Sequence, residues 1–94
     1  MRLAVLIALF GLPDASSLQD VLVRFGNSPL RNGDVDELCY RSESPLEPYW
    51  VLFGAGPEGD FERITRIRVV FSPPAMTCPP SARLTPELLT KLPQ

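Results

Sequence analysis

The stretch Tyr49–Phe71, YWVLFGAGPEGDFERITRIRVVF, decides the fold. It opens on an aromatic and β-branched run typical of a strand. GAGPEG follows at Gly54–Gly59, the G-x-G-x-x-G spacing that cradles a dinucleotide pyrophosphate when a helix comes next. Here ITRIRVVFS follows, alternating with period two: Thr65, Ile67, Val69 and Phe71 on one side, Arg66 and Arg68 on the other. About twenty residues beyond the glycines, where a dinucleotide site needs an acid, stands PPAMTCPP. The glycines therefore read as a hairpin loop, with Pro57 pre-setting a turn.

Hairpin geometry assigns the faces. With an odd number of loop residues between Phe53 and Phe61, Tyr49, Val51 and Phe53 share a face with Thr65, Ile67 and Val69. That face reads as the core. Trp50 and Leu52 then share the opposite face with Ile64, Arg66, Arg68 and Val70. An aromatic beside arginines fits either guanidinium stacking over Trp50 or a surface for a partner protein. Trp50, Arg66 and Arg68 are thus the candidate interaction face. The alternative is that a C-terminal helix carrying Leu88, Leu89 and Leu92 covers it.

Upstream, ELCYRS at Glu37–Ser42 reads as another strand, broken by Pro45 and Pro48 in ESPLEP. Leu18, Val21, Leu22 and Phe25 form one apolar stripe of a short helix, with Ser17 placed to cap it only where cleavage falls upstream, Asp20 near its positive end, and Gly26 and Pro29 ending it. Downstream, Thr85-Pro86 opens a second short helix, with Leu84 and Leu89 spaced as its hydrophobic staple. The expected fold is α+β: a short N-terminal helix on a three-stranded antiparallel meander, closed by a short C-terminal helix.

The first residues read differently. MRLAVLIALFGLPDASS has a charged start at Arg2, an apolar run from Leu3 to Leu12, a break at Pro13, and small residues Ala15 and Ser17 at the −3 and −1 positions. That order is a secretory signal, with cleavage after Ser17. Residues 1–17 are then the signal peptide and 18–94 a single small domain, periplasmic or secreted. The alternative for the run is a buried helix or strand, since about ten apolar residues cannot span a bilayer. After signal removal no stable membrane insertion is expected.

An exported domain this small buries only about 60% of its unfolded surface. The two cysteines of the chain, Cys39 and Cys78, supply a staple as a disulfide. The alternative is a pair of buried thiols.

Several function classes are argued against. The formal net charge is −2 and the basic residues are scattered, unlike a nucleic-acid binder. There is no His, the commonest catalytic base, and two cysteines fall short of the four ligands a structural zinc takes. Asn32, Asp34, Asp36 and Glu43 match part of a calcium loop, but its Gly position is occupied by Glu37. The carboxylates Glu43, Glu47, Glu58 and Asp60 lie in loops. No catalytic, cofactor-binding or metal site is assigned, and no cofactor is expected. The reading is a non-enzymatic exported protein that contacts another envelope or extracellular protein. The alternatives are a small hydrolase or ligand-binding subunit using loop carboxylates, or a structural fragment of a larger two-unit protein.

The succession of helix, FGNSP and three-stranded meander resembles the SmpA/OmlA type of outer-membrane assembly lipoprotein, in which a short helix ending in Gly and Pro precedes three antiparallel strands. β-lactamase-inhibitor proteins are built from similar units. The resemblance covers Leu18 to Phe71 and rests on DVLVRFGNSP and the strand order. This sequence departs from it in having no lipid-attachment cysteine and a disulfide pair instead. The layout CYRS … YWVLFGAGPEGDFERITRIRV is also similar to small exported proteobacterial proteins. What the resemblance implies is a fold and an envelope compartment; it implies no functional residues.

Overall fold

The computed structural model describes residues 3–30, 36–43, 47–56 and 63–92. The elements are α1 (Leu3–Leu9), α2 (Leu18–Phe25), β1 (Asp36–Ser42), β2 (Trp50–Ala55), β3 (Ile64–Val70), β4 (Pro80–Ser81) and α3 (Pro86–Lys91). The fold is α+β. β1, β2 and β3 form the expected antiparallel meander, and β4 adds a short parallel strand, giving the order β3-β2-β1-β4. Proline-rich sequence hid this fourth strand. It pairs only at Arg41–Pro80 and Ser42–Ser81, with the Arg41 N–H donating to the Pro79 carbonyl at 2.9 Å.

α2 forms where its signals stand. The Ser17 Oγ accepts from the Asp20 N–H, and the Asp20 carboxylate accepts from the Ser17 N–H at 2.9 Å, so both ends of the capping box are closed. Leu18, Val21 and Phe25 are buried on the sheet. Gly26 ends the helix at φ 101°, a conformation that disfavours side chains. Its carbonyl accepts the buried Tyr40 hydroxyl at 2.7 Å, tying the helix end to β1. α3 follows its capping signal too: Thr85 Oγ1 accepts from the Leu88 N–H, and Leu84, Leu89 and Leu92 join the core.

The apolar N-terminal run is helical and packs on the same core. Ile7, Phe10 and Leu12 are buried, and the Phe10 ring meets Phe53 and Phe25 edge-on at centroid distances of 5.4 and 6.2 Å. Ala4, Val5 and Ala8 on its outer side remain exposed. α1 is therefore apolar all round but covered on one side, unlike an amphipathic surface helix. The chain then bends through Ala15 at φ 57° to Ser16, which is buried. The Ser16 carbonyl accepts from the Ile64 N–H at 2.8 Å, so this segment is laid against the start of β3.

Register confirms the expected faces with one change. Val51 pairs with Val69 and Phe53 with Ile67, facing the helices; Leu52 pairs with Arg68 and Trp50 with Val70 on the other side. A register shift at Gly54/Ala55 then aligns Ala55 with Ile64. The bulge turns the Ile64 side chain into the core, where it is 1% exposed, and leaves Thr65 outside. Ile64 therefore does not belong to the Trp50 face, as strict alternation had placed it.

Candidate functional site

The sheet face away from the helices can be laid out as rows across β3, β2 and β1. They run Arg66–Gly54–Glu37, Arg68–Leu52–Cys39 and Val70–Trp50–Arg41. Trp50, Arg66 and Arg68 thus share one face, Trp50 half-buried and the arginines exposed. The rows also explain Gly54. It lies inside β2 rather than in a loop, and carries no side chain where Arg66 must cross to Glu37. The remainder of the connection, residues 57–62, lies outside the described residues.

The arginines do not stack over Trp50 as one sequence reading had it. Both reach across β2 to one carboxylate oxygen: Arg66 Nη2 and Arg68 Nη2 each lie 3.1 Å from Glu37 Oε2. Their side chains are 46% and 45% exposed, whereas that of Glu37 is 7% exposed. A buried carboxylate needs such partners, because burial without them is costly. Sequence reasoning missed Glu37. Its place emerges only with the β1–β2 register: a Glu on β1 facing two alternating arginines across a glycine.

The other end of this face is covered by the disulfide. Cys39 and Cys78 are bonded, S–S 2.12 Å with Cα atoms 4.8 Å apart, across a separation of 39 residues. The bond tethers the proline-rich segment before β4 over the face, where Cys39 and Leu52 are 0% and 2% exposed. α3 is not the cover. It packs on the helical side, where the Tyr49 hydroxyl donates to the Thr85 carbonyl at 2.8 Å. Burial pushes the Tyr49 phenol up to about 12 and raises Tyr40 further above its usual range. Beyond the covered end, Phe71 emerges 58% exposed just after β3.

Elsewhere, two shallow clefts of about 310 and 380 Å³ flank α2 and α3 and share Arg24 and Arg83. Each holds a single carboxylate, Asp20 in one and Glu87 in the other. Among the described residues no group of three or more His, Cys, Asp or Glu side chains is placed to hold a metal, and no helix is long and apolar enough to cross a membrane. Of the calcium-loop residues, Asp36 is built into β1, while Asn32 and Asp34 lie outside the described residues, as do Glu58 and Asp60. Comparison with protein-family models, with curated proteins and with solved structures finds no match for this chain.

Proposed function

We propose that this chain is an exported, non-enzymatic protein that acts by contact with another envelope or extracellular protein through the sheet face of Trp50, Arg66 and Arg68. The observation that carries the reading is the convergence of two half-exposed guanidiniums on one buried carboxylate. Both arginines are held in place with half-exposed side chains, and each guanidinium has further N–H donors besides the one that meets Glu37. Positioned arginines beside an aromatic are the residue types that dominate binding hot spots.

Export is supported by the order of charged start, apolar core and small residues, by the all-round apolarity of α1, and by the disulfide. Cleavage after Ser17 removes α1, the Ser16 carbonyl and the capping residue of α2. The folded precursor has these groups buried or bonded, so processing precedes folding in this reading. Intact mass of protein recovered from the periplasm or medium tests it: a species beginning at Leu18 is expected, and one beginning at Met1 overturns it. The interaction is tested by affinity capture of the tagged protein from envelope extract. Trp50→Ala with Arg66→Ala is expected to lose the captured partner; an unchanged captured set contradicts the proposed face.

A further inference from the structure

We propose that the outer edge of β3, from Thr65 to Val70, takes up an extended acidic segment of the partner protein as an added strand. The inference rests on the interaction-face reading and names the chemistry of the partner. β3 is the long edge of the sheet; the opposite edge, β4, spans only Pro80–Ser81. An edge strand presents backbone donors and acceptors that another chain can pair with. In the full, unprocessed chain the beginning of this edge is already used in that way. Ser17 bridges Arg63 in antiparallel fashion, and Ile64 donates to the Ser16 carbonyl. The pairing stops there because the partner segment, running antiparallel back from Ser16, turns away at Ala15 with φ 57°. Thr65–Val70 continues the same edge with no proline or glycine to interrupt it, over roughly 20 Å at the rise of a strand.

The side chains select the occupant. Arg66 and Arg68 flank the edge on one face, and the half-buried Ile67 and Val69 flank it on the other. An added strand places its side chains about 5 Å from these, so alternating acidic and apolar residues match both faces at once. Arg66 and Arg68 together with Glu37 carry one net positive charge, and the buried position of Glu37 leaves the guanidiniums as the exposed groups. A second copy of this chain fits poorly. Antiparallel pairing of two β3 edges about Ile67 sets Arg66 opposite Arg68 of the other copy, a destabilising like-charge contact. The arginines thus guard the edge against self-association while admitting an acidic strand. Phe71, exposed at the end of β3, extends the apolar contact.

The test uses the oxidised, isotope-labelled protein and synthetic peptides. A peptide of alternating Glu and Val is expected to shift the amide resonances of Thr65–Val70 and slow their hydrogen exchange. The same peptide N-methylated at alternate residues, which cannot pair along one edge, should bind at least about tenfold more weakly. A Lys/Val peptide and a peptide copying residues 64–70 should leave the resonances in place. Absence of shifts at Thr65–Val70, or equal binding of the N-methylated or lysine peptide, overturns strand addition. Because these arms need no variant of Trp50 or Arg66, their outcome is independent of the capture experiment. Capture that depends on Trp50 and Arg66 together with a negative peptide result refutes the edge and leaves the face standing.

Discussion

Replacing Cys39 and Cys78 together by alanine should roughly halve the stability of the fold. The bond closes a separation of 39 residues. In the chain-entropy treatment, a loop of that size, once opened, stabilises the unfolded ensemble by about 4 kcal/mol. A chain of this length has a total stability of roughly 5–14 kcal/mol. With a urea slope of about 1–2 kcal/mol/M, the unfolding midpoint should fall by roughly 2–4 M. Trp50, the sole tryptophan, reports the transition by fluorescence. It also reports locally, because releasing the tethered segment uncovers the sheet face around Leu52 and should shift Trp50 emission to the red before global unfolding. Coincident midpoints for the oxidised protein and the double variant would refute the reasoning, since the bond would then constrain nothing that unfolding frees. A lowered midpoint with unchanged native emission would refute only the covering role of the segment.

Further outcomes follow from the packing. In the full chain, Phe10→Ala removes a ring lodged between Phe25 and Phe53 and should cost about 3–5 kcal/mol by chemical denaturation; a cost near zero would show that α1 is not part of the core. Ser17→Ala in the same chain removes the side-chain acceptor of the Asp20 N–H and should cost about 1 kcal/mol, read as a lower thermal midpoint. Tyr49 stays protonated in the folded state to about pH 12 but ionises near pH 10 when unfolded. Its contribution is therefore complete below pH 10 and lost as pH rises towards 12, so stability should decline across that window; Tyr49→Phe should lessen the decline and leave the part due to Tyr40.

Much of the fold could be read from the chain because local signals and long-range packing agree. Ser17 and Asp20 cap α2, Thr85-Pro86 opens α3, and the alternation after Gly59 sets the hairpin faces. Strict alternation failed at one place, Ile64, because a bulge inserts a residue that periodicity cannot count. β4 escaped notice because Pro80 and Ser81 have low strand propensity; the disulfide and the Arg41–Pro79 hydrogen bond place them instead. At the candidate site, the shared face of Trp50, Arg66 and Arg68 was visible in the hairpin register. Glu37 was not, since its role depends on the pairing of β1 with β2, and no short-range pattern encodes the partner of a strand. The covering of the face by the Cys78 segment, rather than by α3, likewise depends on tertiary geometry. Leu84, Leu89 and Leu92 look equally able to cover either side when read as sequence alone.

On the proposed reading the Trp50 face meets a protein partner. Site-specific photocrosslinking in living cells tests it most directly. A benzophenone amino acid replacing Trp50 keeps an aromatic on the face, and the same group at Val23, which is 79% exposed on α2, serves as the distant control. A discrete crosslinked protein is expected from position 50 and none from position 23. Crosslinks from position 23 alone, or none from position 50, would contradict it.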